Sequence, residues 1–458
     1  MNLREKIDVI DLYFIASLVI GSIVRVISLF TLPLNLDSYP FIRAAMGILE
    51  LDYNRYGTFR PPGFPLLIVP YLLISGNGEI AAKLASLTSS ILLLISSYVV
   101  FRDASLKLFD DKESSKQKAR YTGFLVSLLL SINIYFMIHP GYGIREEYLT
   151  ILCMLVFYFT IIKTQISLKY NICLACLISL LTLTLLTAGL FFVGGIILFF
   201  LISKLKWFKF KPIKTKKILI ILISFSLTFL LWALFSSFTW GDPLYNWQHQ
   251  SNFFLNFYKM ELNSLENIID ALINALIGGI PYEFYYFFFF SSMLFVILAI
   301  YLLIKNIRRK QFLFLFFVMG LNLLYLSVFI APSKLINVPN SSRVMVYLFP
   351  FLYYLGAIPL ANIFVEINNS KKYNLQLIYL FYIIFLITYV VKGIPFIMYL
   401  GYGGYPFPPS LLYLIFVIIN ELSLIIVVIK TRDITFPFSN SIDKDALNSN
   451  FRKNEEIR

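Results

Sequence analysis

Residues 11–50 read D-L-Y-F-I-A-S-L-V-I-G-S-I-V-R-V-I-S-L-F-T-L-P-L-N-L-D-S-Y-P-F-I-R-A-A-M-G-I-L-E, and this stretch decides the fold. Its first part, 11–32, has the length and apolarity to cross a hydrocarbon layer of about 30 Å as a helix, where every backbone polar group must find its partner inside the segment. The chain then turns polar, and Asp37 precedes a segment, 38–50, that it is suited to cap.

Eleven further segments of the same kind follow, near 79–101, 121–138, 147–163, 172–187, 189–203, 218–238, 284–304, 311–331, 343–363, 375–398 and 409–430. The expected fold is therefore an all-α integral membrane bundle of about twelve transmembrane helices, 11–13 according to how 172–203 divides. Composition agrees. The 458 residues are 59% hydrophobic and 14% charged, and mean hydropathy is +0.78. Soluble domains carry about a quarter charged residues and could not hide this much apolar surface. The start, Met1 to Lys6, is charged, but the run after it is span-length and lacks a small-residue cleavage site, so it is expected to stay as an anchor.

The net charge of +14 does not point to nucleic acid, because the basic residues fall in clusters between apolar runs and not along one polar face. They read as topology signals, since short loops rich in Lys and Arg stay cytoplasmic. With the N-terminus inside, the loops Arg102–Arg120, Lys163–Tyr170, Lys204–Lys217, Lys305–Lys310 and Glu366–Tyr373 fall inside, as does the tail from Lys430. The external loops are then 33–78, 139–146, 239–283, 332–342 and 399–408. Counting the short apolar run 63–74 as a span would move the basic loop 102–120 outside. Pro61–Ile74 is therefore read as a re-entrant or interfacial helix, with Pro61 and Pro62 at its start, where a missing N–H costs little. Residues 1–430 form one transmembrane domain, and 431–458 a polar cytoplasmic tail expected to be disordered. No repeat of 20–50 residues is visible.

Cys153, Cys173 and Cys176 all lie in apolar segments. Cys173 and Cys176 form a C-x-x-C, but zinc would need a second pair and a redox motif a soluble βαβ setting, so packing thiols are expected. Charged groups at a membrane boundary are costly and mark function. The external side collects them: Asp37, Arg43, Arg60, Arg145, Glu146, Glu147, Asp242, His249, Lys334 and Arg343.

The run L-D-S-Y-P-F-I-R-A-A-M-G-I-L-E at 36–50, followed by Y-G-T-F-R-P-P-G-F-P-L-L-I at 56–68, resembles the first external loop of the GT-C fold glycosyltransferases. The resemblance is nearest to the protein O-mannosyltransferase and aminoarabinose transferase group (glycosyltransferase family 39-like). H-P-G-Y-G-I-R-E-E-Y-L at 139–149, W-G-D-P-L-Y-N-W at 240–247 and R-V-M-V-Y-L-F-P-F-L-Y-Y-L-G-A at 343–357 fit in order and spacing. Two departures stand out: Asp37 is followed by Ser38 where many relatives have Asp-Glu, and the external loops hold no D-x-D, which argues against a metal-dependent branch.

The resemblance implies transfer of a sugar from a polyprenyl- or dolichyl-phosphate donor to a lipid, glycan or protein acceptor at the external face, with no metal or other cofactor. That chemistry needs a base for the acceptor proton and cations for the phosphate charge that grows as the bond to the anomeric carbon breaks. Asp37 is the expected base, with Glu146 and Glu147 the next carboxylates. Arg60, Arg145 and Arg343 are candidate phosphate clamps, since a guanidinium binds two phosphate oxygens at once. Tyr39, Arg43 and His249 are further candidate substrate contacts. Trp240, Tyr245, Trp247 and the aromatic run 282–290 read first as an interfacial belt. The rival readings are a transporter or lipid flippase, against which stand polar groups gathered on one face and the lack of repeats, and a non-catalytic subunit of a glycosylation complex.

Overall fold

Long apolar runs fold as helices because a membrane leaves the backbone no other way to pair its polar groups. The computed structural model describes residues 9–52, 61–108, 113–163, 167–203, 214–245 and 349–370, and among these there is no strand. Helix α1, Val9–Thr31, is followed by a 3-10 turn, Leu36–Ser38, and α2, Tyr39–Glu50. Helices α3, Gly63–Ser75, and α4, Gly78–Leu108, come next, then α5, Glu113–Ile132, and α6, Ile134–Tyr142. Helix α7, Glu146–Phe157, runs on into a π-helical turn, Tyr158–Ile162. The rest are α8, Leu168–Thr184, α9, Leu186–Ser203, α10, Thr215–Trp240, and α11, Phe349–Ser370.

Among the described residues three helices, α1, α4 and α10, are long and apolar enough to cross a membrane, and α5 with α6, bent by 50° at their junction, has the length and apolarity of a broken span or a re-entrant loop. The expected spans at 284–304, 311–331, 375–398 and 409–430, and the tail 431–458, lie outside the described residues. The run expected at 61–74 folds as α3, Gly63–Ser75, a helix of 13 residues. At 1.5 Å per residue that is about 20 Å, short of a hydrocarbon core. It packs against α2, α4 and α8 within the bundle.

Helices α4 and α5 form the centre. Buried Leu93, Leu94, Phe101, Leu125, Leu129, Met154 and Leu355 join α4, α5, α7 and α11 in one core, with Phe101 stacked on Tyr354 at 4.9 Å. Of the most apolar stretch of α4, 56% is buried, against 22% for α10, so of these two described helices α4 is the more central. Cys153 is inside; Cys173 and Cys176 are exposed on α8, so these two are not the packing thiols expected.

Arg25 is fully buried in the middle of α1. Its guanidinium donates to Ser90 Oγ (2.6 Å) and to the carbonyls of Gly21 (3.0 Å), Leu130 (3.1 Å) and Ser131 (3.3 Å). The last carbonyls of a helix lack amide partners of their own. Arg25 therefore supplies donors where α5 stops and the chain bends into α6.

The two sets of loops separate to opposite ends of the bundle. At one end Lys107 donates to the Ile162 carbonyl and Lys217 to those of Phe159 and Lys163, capping the π-helical turn as cations commonly cap a C-terminus. There Asp103 also meets Lys163 at 3.3 Å and accepts from Tyr158 Oη at 2.7 Å. All of these belong to, or adjoin, loops expected on the cytoplasmic side. The described parts of the first two loops expected outside, 33–52, 61–78 and 139–146, meet at the other end.

Candidate functional site

The 3-10 turn that carries Asp37 is held from both directions. Asn35 caps it, its Oδ1 accepting from the Asp37 amide at 2.8 Å. The Asn35 amide and the Ser38 hydroxyl both donate to the carbonyl of Tyr142, at 3.1 and 2.9 Å. Tyr142 ends α6, and Gly143, at φ +65, turns the chain into α7. That left-handed conformation suits glycine, and a Cβ there would also stand 2.8 Å from Leu34.

Arg145 is the residue before α7. Its Nη1 donates to the Thr184 carbonyl at the end of α8 (3.2 Å), and its guanidinium lies over the Phe41 ring, 5.2 Å from the centroid. Phe41 is fully buried in α2 and meets Phe64 of α3 edge-on at 5.3 Å. Gly63 lets α3 come this close: a Cβ there would be 2.4 Å from Thr184 Oγ1. Arg145 thus sits where α2, α3, α7 and α8 meet.

Asp37 is half-buried, and Tyr39 and Arg43 are exposed on or beside the outer face of α2. Phe41, Ile42, Ala44, Ala45 and Gly47 form its inner face, which is the amphipathic pattern of a helix lying along an interface. Glu146 and Glu147 occupy the first turn of α7, where acidic groups suit the helix dipole. Both are buried, Glu147 completely, and Glu147 Oε1 lies 3.0 Å from His139 Nδ1 of α6. His139 was not among the expected site residues. Arg60, His249 and Arg343 lie outside the described residues. Among the described residues no group of three His, Cys, Asp or Glu side chains could hold a metal.

An apolar cavity of about 570 Å³ opens between α2, α3, α8 and α10. Gly47, Ile48 and Leu51 of α2, Pro62 and Leu66 of α3, Ser179 and Leu183 of α8, and Leu227 to Phe235 of α10 line it. Leu183 is next to Thr184, whose carbonyl accepts from Arg145. Trp232 and Phe235 of the lining stack on each other, Phe235 meets Trp240 edge-on, and Trp240 stacks on Tyr245 at 5.0 Å. The described residues thus hold two features: the Asp37 turn joined to the corner that carries Arg145, and an apolar cavity between α2, α3, α8 and α10 whose lining includes the residue next to Thr184.

The fold of this bundle has a counterpart among solved structures. The fold is similar to that of ArnT from Cupriavidus metallidurans bound to undecaprenyl phosphate, with a TM-score of 0.50 over 89% of this chain and 76% of that one, at 12% identity. The apo structure of the same protein aligns with a TM-score of 0.47 and 14% identity over 90% of this chain and 75% of that one. The chain has the all-helical GT-C architecture that the first external loop suggested. No family model matches the sequence, and no curated protein does.

Proposed function

We propose that the chain is a membrane-embedded, inverting glycosyltransferase that takes its sugar from a polyprenyl or dolichyl phosphate. The observation that carries this reading is the joining of the Asp37 turn to the corner that carries Arg145, with Arg145 bonded to Thr184 next to Leu183 of an apolar cavity, in a fold like that of a protein solved with undecaprenyl phosphate. The lipid chain lies in the cavity and its phosphate reaches Arg145, with Arg60 and Arg343 as further clamps and Tyr39, Arg43 and His249 as sugar or acceptor contacts. Asp37 removes the acceptor proton. The acceptor oxygen or nitrogen then bonds to the anomeric carbon, the carbon–oxygen bond to phosphate breaks, and its electron pair leaves on the lipid phosphate.

Residues 1–430 act as one transferase domain with both termini in the cytoplasm and the site on the external face of a cell membrane. The acceptor is a lipid, glycan or protein. The test is transfer of labelled sugar from polyprenyl-phosphate sugar by the purified protein in lipid nanodiscs. Turnover supports the enzyme. Donor movement across the bilayer without bond cleavage would make it a flippase, and neither outcome would leave a non-catalytic subunit.

A further inference from the structure

A carboxylate removed from water is costly to keep charged unless an opposite charge or donors face it. Glu147 is fully buried at the start of α7, and the group facing it is His139 of α6, 2% exposed, with Nδ1 3.0 Å from Oε1. Around the pair are Glu146, the Phe136 ring at 6.1 Å from the imidazole, and Ser86 of α4, whose hydroxyl donates to the His139 carbonyl at 3.2 Å.

The two residues stand on either side of the α6–α7 corner, and that corner holds both halves of the proposed site. Tyr142 within it accepts from Asn35 and Ser38, which flank Asp37. Arg145 within it reaches Thr184 and Phe41. The corner itself turns on Gly143 at φ +65, whose amide donates to the His139 carbonyl at 2.9 Å, and on α6, a helix of nine residues with Pro140 inside it.

We infer that His139 and Glu147 are positioning residues, a buried clasp across residues 140–146 that holds the Asp37 turn and the Arg145 guanidinium in register with each other. This rests on the glycosyltransferase reading for its consequence and on the geometry alone for its structural part. Opening the clasp lets Tyr142 and Arg145 move independently, so the base and the phosphate clamp lose alignment even while the bundle stays folded. A displacement of about 1 Å at reacting groups is enough to cost about a hundredfold in rate.

The experiment compares wild type, Glu147→Leu and the double variant His139→Phe/Glu147→Leu in nanodiscs. The double variant replaces the pair by apolar groups and keeps the fold if the single variant does not. Amide hydrogen exchange at Asn35, which donates to Tyr142, is read against amides of the α4 core around Leu93; binding of undecaprenyl phosphate and sugar transfer are read on the same samples. The expected result is at least tenfold faster exchange at Asn35 with unchanged exchange near Leu93, in both variants. Undecaprenyl phosphate binding weakens about fivefold or more, and kcat falls per folded molecule. Unchanged exchange at Asn35, or equal acceleration at Asn35 and Leu93, overturns the clasp. Wild type that neither binds undecaprenyl phosphate nor transfers sugar overturns the functional reading instead, and the exchange result still decides the clasp.

Discussion

The hydroxyl of Ser38 donates to the carbonyl of Tyr142 at 2.9 Å, joining the residue after Asp37 to the corner before Arg145 across 104 positions of sequence. Ser38 is fully buried. A hydrogen bond of this kind contributes about 1 kcal/mol net, and Tyr142 would still accept from the Asn35 amide. Ser38→Ala is therefore expected to change the thermal midpoint by only a few degrees and to lower kcat several-fold by loosening the turn. Equal kcat in the two proteins would show that Asp37 needs no such anchor.

Asp37→Asn separates the catalytic role from the structural one. The turn is capped by Asn35 through the backbone of residue 37, so the substitution leaves that bond in place and keeps the side-chain volume. Asparagine cannot accept a proton at working pH, and loss of general-base catalysis costs about 10²–10⁴ in rate. Sugar transfer should fall by that factor at normal expression in the membrane. Near wild-type turnover would move the role to another carboxylate.

The apolar runs were legible because a span must be continuous and about 20 residues long, and the helix over 38–50 because its apolar residues recur on one side. Pro61–Ile74 was placed by charge bookkeeping across loops. The corner was not legible in the same way. His139 and Glu147 are eight positions apart, a spacing that brings no pair together on one helix; only the turn at Gly143 folds them onto each other. Arg25 sits in an otherwise apolar span, and its carbonyl partners Leu130 and Ser131 are more than a hundred residues away. The interior helix break that needs a cation is a property of packing, not of local sequence.

Arg25→Met keeps the span apolar and removes four donated bonds, two of them to the carbonyls of Leu130 and Ser131 at the α5–α6 bend. Each buried carbonyl left without a donor costs about 1–3 kcal/mol, and the thermal midpoint in detergent is expected to drop sharply, with Arg25→Lys in between. If hydropathy alone mattered, the methionine variant would be as stable as wild type or more so. That outcome would remove Arg25 from the account of the bend.

Sidedness has a direct readout. Ser114 lies at the start of α5, in the basic loop 102–120, and a cysteine placed there should stay unlabelled by an impermeant thiol reagent in sealed, right-side-out vesicles. The three native cysteines are replaced by serine or alanine beforehand, since Cys173 and Cys176 are exposed. Labelling from outside would invert the topology and place the Asp37 turn in the cytoplasm.

Arg145 distinguishes a phosphate clamp from a helix-end charge. A cation at a helix N-terminus is disfavoured by the dipole, so if Arg145 only occupied the position before α7, replacing it by glutamine would leave stability unchanged or slightly raised and activity intact. Its contacts speak for more: the planar group covers Phe41 and donates to Thr184 with one nitrogen, next to Leu183 of the apolar cavity. A charge-assisted contact contributes about 1.5–3 kcal/mol, so Arg145→Gln should weaken undecaprenyl phosphate binding about tenfold to a hundredfold. Arg145→Lys keeps the charge but not the fork, cannot cover the ring and donate sideways at once, and should fall between. Phe41→Leu, which removes a cation–π contact of about 0.5–2 kcal/mol, should raise KM for the lipid donor less than either, because the guanidinium keeps its bond to Thr184. The order Gln, Lys, Leu in loss of donor binding, with thermal midpoints close to wild type for the two Arg145 variants, is the pattern a clamp requires; equal donor binding in all three would return Arg145 to a purely structural position.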